Sequence, residues 1–270
     1  MNSENQAVEE RTWSKPKLID SAFLRWTITF LVIIYIIFAV RSFEINVDRI
    51  IRGLDRAWEM LYAFLQPDFL ARQSHIFQGV LESITMTVVA TSLGILFAIP
   101  VTLGAAKNIS PLPVYYFCRG ILVVFRSLHV VILAILFVIM FGFGPFAGVL
   151  TMIINSIGFI GKLLSEDIEN ISDETLEAIR ATGASWPQLI IYGVWPQVSS
   201  RFIGLSIYRA DMTFRQSTVI GLVGAGGIGA VLDTAMGRYD FNTAAAILIV
   251  IIILVLIGEY VSSAIRRRLT

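Results

Sequence analysis

The sequence predicts an all-α integral membrane protein, and three observations predict it. Hydrophobic residues make up 56% of the 270 positions, where soluble domains carry roughly 45–50% even with glycine counted. Charged residues make up only 15%, against roughly 25% in soluble domains. The apolar residues gather into six stretches close to the length of about 20 residues that a helix needs to cross a bilayer.

Residues 22–40 form the first stretch, clean apart from Arg25 near its start. The second, about 81–105, contains Pro100, which should kink it. The third, about 115–141, is entered through Arg119 and Arg126, and the fourth, about 146–164, is rich in glycine and carries Asn155. The fifth, about 202–222, is unusually polar, whereas the sixth, 244–257, is nearly pure Ile, Leu, Val and Ala. The first stretch reads as an anchor and not a cleaved leader, because its apolar run is long, an acidic and polar tail precedes it, and no small-x-small site follows. The expected organisation is therefore a tail over 1–20, a first transmembrane helix over 21–42, an amphipathic segment over 43–78, and a five-helix core over 79–270 with a polar loop at 165–197.

Charge sets the orientation. Arg11, Lys15 and Lys17 precede the first span and Arg266, Arg267 and Arg268 follow the last. Six spans put both ends on one side, and clustered basic residues make it the cytoplasm. The polar loop after the fourth span then also falls in the cytoplasm. Net charge is +1 with no basic face, so nucleic acid is not an expected partner. The single cysteine, Cys118, excludes an internal disulfide and reads as a small apolar filler. Two separated histidines with no Cys or carboxylate cluster give no metal-site signal.

Residues 44–69 place Val47, Ile50, Ile51, Leu54, Trp58, Leu61 and Leu65 at a helical period with charges opposite. Such a helix can lie in the membrane interface with Trp58 and Tyr62 at headgroup depth, or pack on the body of the protein.

The polar loop is the most informative segment. Ser172, followed by Asp173 and Glu174, makes a helix start, with a hydroxyl to cap free N–H groups and carboxylates against the positive end of the dipole. A short helix to about Thr182 ends at Gly183, which can take the left-handed conformation. Ser185 then caps a second helix, with Pro187 tolerated in its first turn and Gln188 completing a capping box. Pro196 is expected to stop it. Helix, glycine turn, helix make a rigid knob, too short and polar to cross a bilayer.

The run Glu177-Ala178-Ile179-Arg180-Ala181-Thr182-Gly183-Ala184, with Trp195-Pro196 a dozen residues on, resembles the coupling loop of ABC importer permeases. That pattern opens Glu-Ala-Ala, places Gly four residues after the second Ala, and closes with Leu-Pro. Here Ile179 replaces the second Ala, Gly193 stands at the late apolar position, and Trp195 replaces the Leu. The resemblance implies a type I ABC importer permease fold whose loop, through Glu177, Ala178, Arg180, Gly183, Ala184, Ser185 and Pro196, seats in a separate ATPase subunit.

Downstream, residues 215–229 carry Gly221, Gly224, Gly226, Gly227 and Gly229. Three of them spell G-x-G-x-x-G, but a dinucleotide site needs a strand before it and a βαβ unit around it. No G-x-x-x-x-G-K-[ST] occurs either, so any ATP must be handled by a partner. These glycines instead let helices approach closely, or the backbone turn back, at the outer end of a span. Residues 217–229 resemble the permeases of phosphonate-type importers, and more loosely those of methionine importers. Arg126-Ser127-Leu128, the run from Gly142 to Leu150, Gly161-Lys162-Leu163, and Tyr208-Arg209 with Asp211 support the phosphonate-type branch, over about residues 81–269. One departure is His129-Val130 where that branch commonly carries a carboxylate.

The resemblance implies a homodimer, two ATPase subunits holding ATP and Mg, an extracytoplasmic binding protein, no cofactor in this chain, and a place in the bacterial inner membrane. The substrate would be a phosphonate or a related oxyanion such as phosphite, hypophosphite or phosphate, with methionine or another small solute as the alternative. No nucleophile, paired carboxylates or metal cluster points to an enzyme. Arg209, Asp211 and Arg215 would lie within a span, where a charge costs at least about 2.5–3.5 kcal/mol, so they must face protein or water. Asp211 and Arg215 can pair on one helix face. Arg126, His129, Arg209, Asp211, Arg215, Ser217 and Thr218 are the expected pathway or gate groups, weighed against packed or structural roles for His129 and for the Asp211–Arg215 pair. A secondary transporter would need more intramembrane acids and repeated halves, neither of which the sequence displays.

Overall fold

The computed structural model describes residues 21–42 and 47–269. The tail expected over 1–20, with Arg11, Lys15 and Lys17, lies outside the described residues, as do Glu44 and Thr270. Every regular element among the described residues is helical: α1 (Ala22–Ser42), α2 (Val47–Phe64), α3 (Gln73–Gly104), α4 (Leu112–Ser127), α5 (Val130–Phe141), α6 (Pro145–Glu169), α7 (Asp173–Ala181), α8 (Trp186–Leu189), α9 (Trp195–Gly221), α10 (Gly227–Gly237) and α11 (Phe241–Leu269). A five-residue π-helix, Ile190–Val194, joins α8 to α9.

Two compact units divide the chain, one ending at Trp58 and the other beginning at Glu59. In the first, α1 is 21 residues of nearly pure apolar sequence with no buried side chain, which suits a helix whose neighbour is lipid. α2 begins in the first unit and ends in the second; it leaves Ile51, Leu54, Trp58, Leu61 and Tyr62 exposed, and Leu65 just beyond its end is exposed too.

In the larger unit α6 packs along the length of α3, and the crossing is built from small residues. Ser83, Ala90, Gly94 and Ala98 of α3 and Ala147, Gly148, Ser156 and Gly161 of α6 are buried. In lipid no hydrophobic force drives helices together, so contact depends on backbones approaching closely enough for dispersion to act. Three buried hydroxyls satisfy themselves one turn back, Thr87 to Ser83 O at 2.7 Å, Thr151 to Ala147 O at 2.8 Å and Ser156 to Met152 O at 2.7 Å, whereas Thr91 and Thr102 of α3 find no partner among the described residues. Met86, Leu122, Ala134, Met152, Ile157 and Ile220 fill one core among α3, α4, α5, α6 and α9. A second core joins Ile76 of α3 to Ile228 and Leu232 of α10 and to Ala244 and Ile247 of α11.

Four helices, α1, α3, α6 and α11, are long and apolar enough to cross a membrane, and a fifth crossing exists if α4 and α5 together make one. The third expected span, 115–141, is thus corrected: it is two helices bent by 91° at Leu128 and His129. Both residues are extended, and His129 Nδ1 accepts from the Val131 N–H at 3.3 Å, so the imidazole caps α5. The fifth expected span is α9, 27 residues or about 40 Å at 1.5 Å per residue. It is long enough to span but too polar to stand in lipid alone. Pro100 lies inside α3, which continues to Gly104.

The glycine-rich run does turn the chain back. Gly224, Gly226 and Gly227 have φ of 87°, 83° and 75°, a region where a Cβ is penalised. The returning segment is α10, a helix hidden to sequence reasoning by its glycines. It is wedged against α3, α9 and α11.

Candidate functional site

The hinge begins at Ser172, in N-cap position before α7. Its hydroxyl meets the Thr175 hydroxyl at 2.7 Å and does not cap a free N–H. Asp173 and Glu174 in the first turn and Arg180 in the last complement the dipole of α7. Gly183 follows with φ +77°, as its place after a helix end predicts. Ser185 then opens α8, its N–H and hydroxyl both donating to Gln188 Oε1 at 2.7 and 2.9 Å.

Pro196 does not stop this second arm. The helical backbone is unbroken from Trp186 to Gly221, passing through the π-helix, and Pro196 sits in the first turn of α9. A proline N–H is absent, so one i→i−4 bond cannot form, and the wider π turn lets the chain absorb that loss without ending. The second arm of the hinge is therefore one rod with the helix that carries Arg209. Glu177, Ala178 and Ser185 are exposed and Ala184 half-buried. Arg180 is exposed as well, but its Nη2 reaches across to donate to the Asn108 carbonyl at 2.6 Å.

Behind the hinge lies a small apolar core in which Leu164 and Ile168 of α6, Leu176 of α7, Leu189 of α8 and Val194 and Val198 beyond it pack against Ala106 and Ile109. Polar ties ring it: Arg119 pairs with Glu169 and donates to Ser165 Oγ at 3.0 Å, Lys162 pairs with Glu166, and Arg201 Nε reaches Asp167 at 3.2 Å. Sequence reasoning missed this ring: only Lys162–Glu166 has the i,i+4 spacing of a helix pair, while Arg119–Glu169 and Arg201–Asp167 join residues 50 and 34 apart.

Further along α9, Arg209 is 1% exposed, the largest fully buried side chain among the described residues. Its Nε donates to Ser156 Oγ at 2.8 Å, and Nη2 donates to Asn155 Oδ1 at 2.8 Å and Gln216 Oε1 at 3.2 Å. Phe159 stacks beneath it, 5.5 Å from ring centre to guanidinium. Every one of these partners is neutral, and among the described residues Arg209 forms no ion pair. Asp211, by contrast, is nearly buried and paired with half-exposed Arg215. The two arginines therefore differ in kind: one charge is cancelled and the other is held uncancelled in a preformed cage.

Ser217 is buried and donates to Phe214 O at 2.7 Å, and Thr218 Oγ1 is buried with no partner among the described residues. Arg126, at the end of α4, and His129 are exposed and stand at the bend, apart from the Arg209 cage. At the end of α9 the glycines bring backbone onto backbone: a Cβ on Gly221 would stand 2.6 Å from Gly226 O and 2.7 Å from Gly229 Cα. The 142–145 turn joins them through Gly144 N–H to Gly224 O at 3.0 Å, while Glu82 Oε1 accepts from Gly227 N–H at 3.1 Å and Ser83 Oγ from Ile228 N–H at 2.9 Å. Two glycine motifs far apart in sequence thus form one junction with the start of α3.

A helical bundle with four apolar helices long enough to cross a membrane is an integral membrane protein. Residues 90–270 match the binding-protein-dependent transport system inner membrane components, and the chain belongs to that family. It is 38% identical over 204 residues to a phosphate-import permease protein of Mycolicibacterium smegmatis, covering 75% of this chain and 38% of that one. The chain therefore spans well under half of that relative's length. It is 34% identical over 224 residues to a phosphite transport system permease protein of Stutzerimonas stutzeri, covering 83% of this chain and 81% of the relative. Among solved structures, an inward-facing methionine ABC transporter aligns with TM-score 0.63 at 23% identity, over 72% of this chain and 96% of that one. An amino acid ABC transporter aligns with TM-score 0.61 at 18% identity, over 74% and 98%. These two share the fold, the type I importer permease arrangement. The relatives are permease subunits and not enzymes in themselves.

Proposed function

We propose that this chain is the translocating subunit of an ATP-driven importer for a phosphorus oxyanion: phosphonate, phosphite, hypophosphite or phosphate. Two copies enclose the pathway, two separate ATPase subunits hold ATP and Mg, and an extracytoplasmic protein delivers the substrate. The hinge and both termini face the cytoplasm, with Glu177, Ala178, Gly183, Ala184 and Ser185 presented to the ATPase. The glycine junction of Gly221, Gly224, Gly226, Gly227 and Gly229 sits at the opposite, outer end and closes the pathway there.

The observation that carries this reading is the unbroken helix from Trp186 to Gly221. It joins the exposed hinge to the uncancelled charge of Arg209 in one rigid body, so ATPase closure at one end moves a cation at the other. A buried charge without a counter-ion is costly and adds nothing to packing that an apolar residue could not. An anion passing close by would supply the missing charge. The names of the relatives, a phosphate-import and a phosphite transport permease, agree in substrate class.

The test is reconstitution of the complete complex in proteoliposomes, with labelled phosphite, phosphonate and phosphate outside and ATP on the ATPase side. Uptake is expected only with ATP and the ATPase subunits. Uptake without them would make the chain a secondary transporter or channel. Arg209→Gln is expected to abolish uptake and Arg215→Gln to weaken it; normal uptake by both in an intact assembly would remove both arginines from the pathway.

A further inference from the structure

Seven residues, 105–111, connect α3 to α4 beside the hinge. The hinge itself is covalently continuous only with α6 and α9, so nothing in the chain path obliges α3 and α4 to follow it. Yet both arms of the hinge hold this connector by consecutive main-chain carbonyls. Arg180, in the last turn of α7, donates from Nη2 to Asn108 O at 2.6 Å. Trp186, the first residue of α8, donates from Nε1 to Ile109 O at 2.9 Å.

The same connector is fixed to α6 and α4 from its other sides. Asn108 Nδ2 donates to Ile168 O at 2.7 Å and Lys107 N–H to Glu169 Oε1 at 3.0 Å. Ile168 O, in the last turn of α6, also accepts from the Ile171 N–H at 3.2 Å. Arg119 of α4 donates to Ala105 O at 3.3 Å. Below these bonds Ala106 and Ile109 are buried against Leu176, Leu189 and Val198. Bonds to main-chain carbonyls fix backbone position, whereas side-chain packing alone can slide or repack. The geometry is that of a bracket, gripped by α7 and α8 and continuous with α3 and α4.

We infer that the 105–111 connector is a second transmission element, and that Arg180 and Trp186 are positioning residues that make α3 and α4 move with the hinge. The inference rests on the reading of the hinge as the seat of a separate ATPase. It reassigns Arg180 from the docking surface to a clamp on the connector, made at the surface by two exposed side chains. The hinge then drives four helices, two by covalent continuity and two by the clamp.

The experiment uses the full complex of permease, ATPase subunits and binding protein. In the double variant Arg180→Ala/Trp186→Phe the ATPases are expected to co-purify in unchanged ratio and to hydrolyse ATP. Substrate moved per ATP is expected to fall by about tenfold or more, the factor of one charge-assisted and one neutral hydrogen bond lost together. An unchanged ratio overturns the inference, and so does loss of ATPase co-purification, which would return these side chains to the docking surface. A second measurement does not depend on the variant's folding. In a Cys118→Ala background, Asn108→Cys and Arg180→Cys are joined by a short thiol crosslinker. Because Arg180→Cys removes the clamp, the uncrosslinked pair is expected to move less substrate per ATP and the crosslink to restore it to within about twofold of the Cys118→Ala complex, a difference smaller than one neutral hydrogen bond; a crosslink that restores nothing, or that blocks transport, overturns the inference. A wild-type chain that assembles with no ATPase overturns the parent reading instead, a distinct outcome visible before any substitution is made.

Discussion

Ser156 on α6 accepts from Arg209 Nε on α9 at 2.8 Å while donating its own proton to Met152 O at 2.7 Å. One hydroxyl thus serves the helix it stands on and the charge it faces. Ser156→Ala removes the acceptor and leaves a buried charged N–H without a partner, at a cost of about 1–3 kcal/mol. The expected result is a lower melting temperature in detergent together with reduced uptake. An unchanged melting temperature would show that Arg209 finds another acceptor at no cost.

The same residue sets the closeness of the α3–α6 crossing. A Cβ on Gly94 would lie 2.5 Å from Ser156 Cβ, and both atoms are fixed to helical backbone. Gly94→Ala must push the helices apart, which costs about 1–3 kcal/mol as overpacking does elsewhere. Gly120→Ala on α4 meets nothing within 4 Å, and as a helix-interior glycine it is expected to be neutral or stabilising by up to about 1 kcal/mol. Thermal unfolding of the two variants side by side decides; equal stability would mean the crossing is looser than its geometry.

Much of this architecture is legible in the chain, and what is not follows a pattern. α1, α3, α6 and α11 follow from uninterrupted apolar length, a signal local to each helix. Gly183 and the Ser185–Gln188 box follow from capping chemistry that works over three or four residues. The bend at Leu128 and His129 stays hidden because no Pro or Gly marks it and the polar residues Arg126, Ser127 and His129 read as an entry to a span; the imidazole caps α5 through the Val131 N–H after the break. Pro196 reads as a stop because proline both ends and starts helices, and the choice depends on whether the backbone before it can widen. Asn155 and Ser156 beside Arg209, and Asn108 under Arg180, are separated from their partners by 53 to 72 residues. Such pairings exist only once helices pack, so no periodicity records them.

Asp211 and Arg215 form the cancelled pair of α9, and the carboxylate is the more deeply placed member, its side chain 7% exposed against 46% for the guanidinium. Removing the arginine should therefore hurt more than removing both. Arg215→Gln leaves a nearly buried carboxylate without its partner, whereas Asp211→Asn/Arg215→Gln leaves two neutral groups that can bond to each other. Melting temperatures are expected to fall for the single variant and to recover in the double, a coupling of about 0.5–3 kcal/mol in a double-mutant cycle. Strictly additive effects would show that the pair contributes nothing to the fold.

Gly183 is where the hinge turns, with φ +77° and nothing within 4 Å of the place a Cβ would occupy. Space is therefore not the constraint there; the left-handed backbone is. An L residue with a Cβ in that region costs about 1–2 kcal/mol, and Asn tolerates it better than Ala. Because the turn is exposed, Gly183→Ala can relieve the strain by changing the angle between α7 and α8 without unfolding anything. The expected signature is a complex that assembles and melts nearly as the wild type does, but moves less substrate for each ATP hydrolysed. Gly183→Asn should recover much of that loss, since it restores the backbone conformation without restoring the glycine. Gly204→Ala, a helical glycine of α9 with open space around it, serves as the control and should leave coupling unchanged. If Gly183→Ala and Gly204→Ala behave alike, the angle of the hinge is not what transmits the stroke.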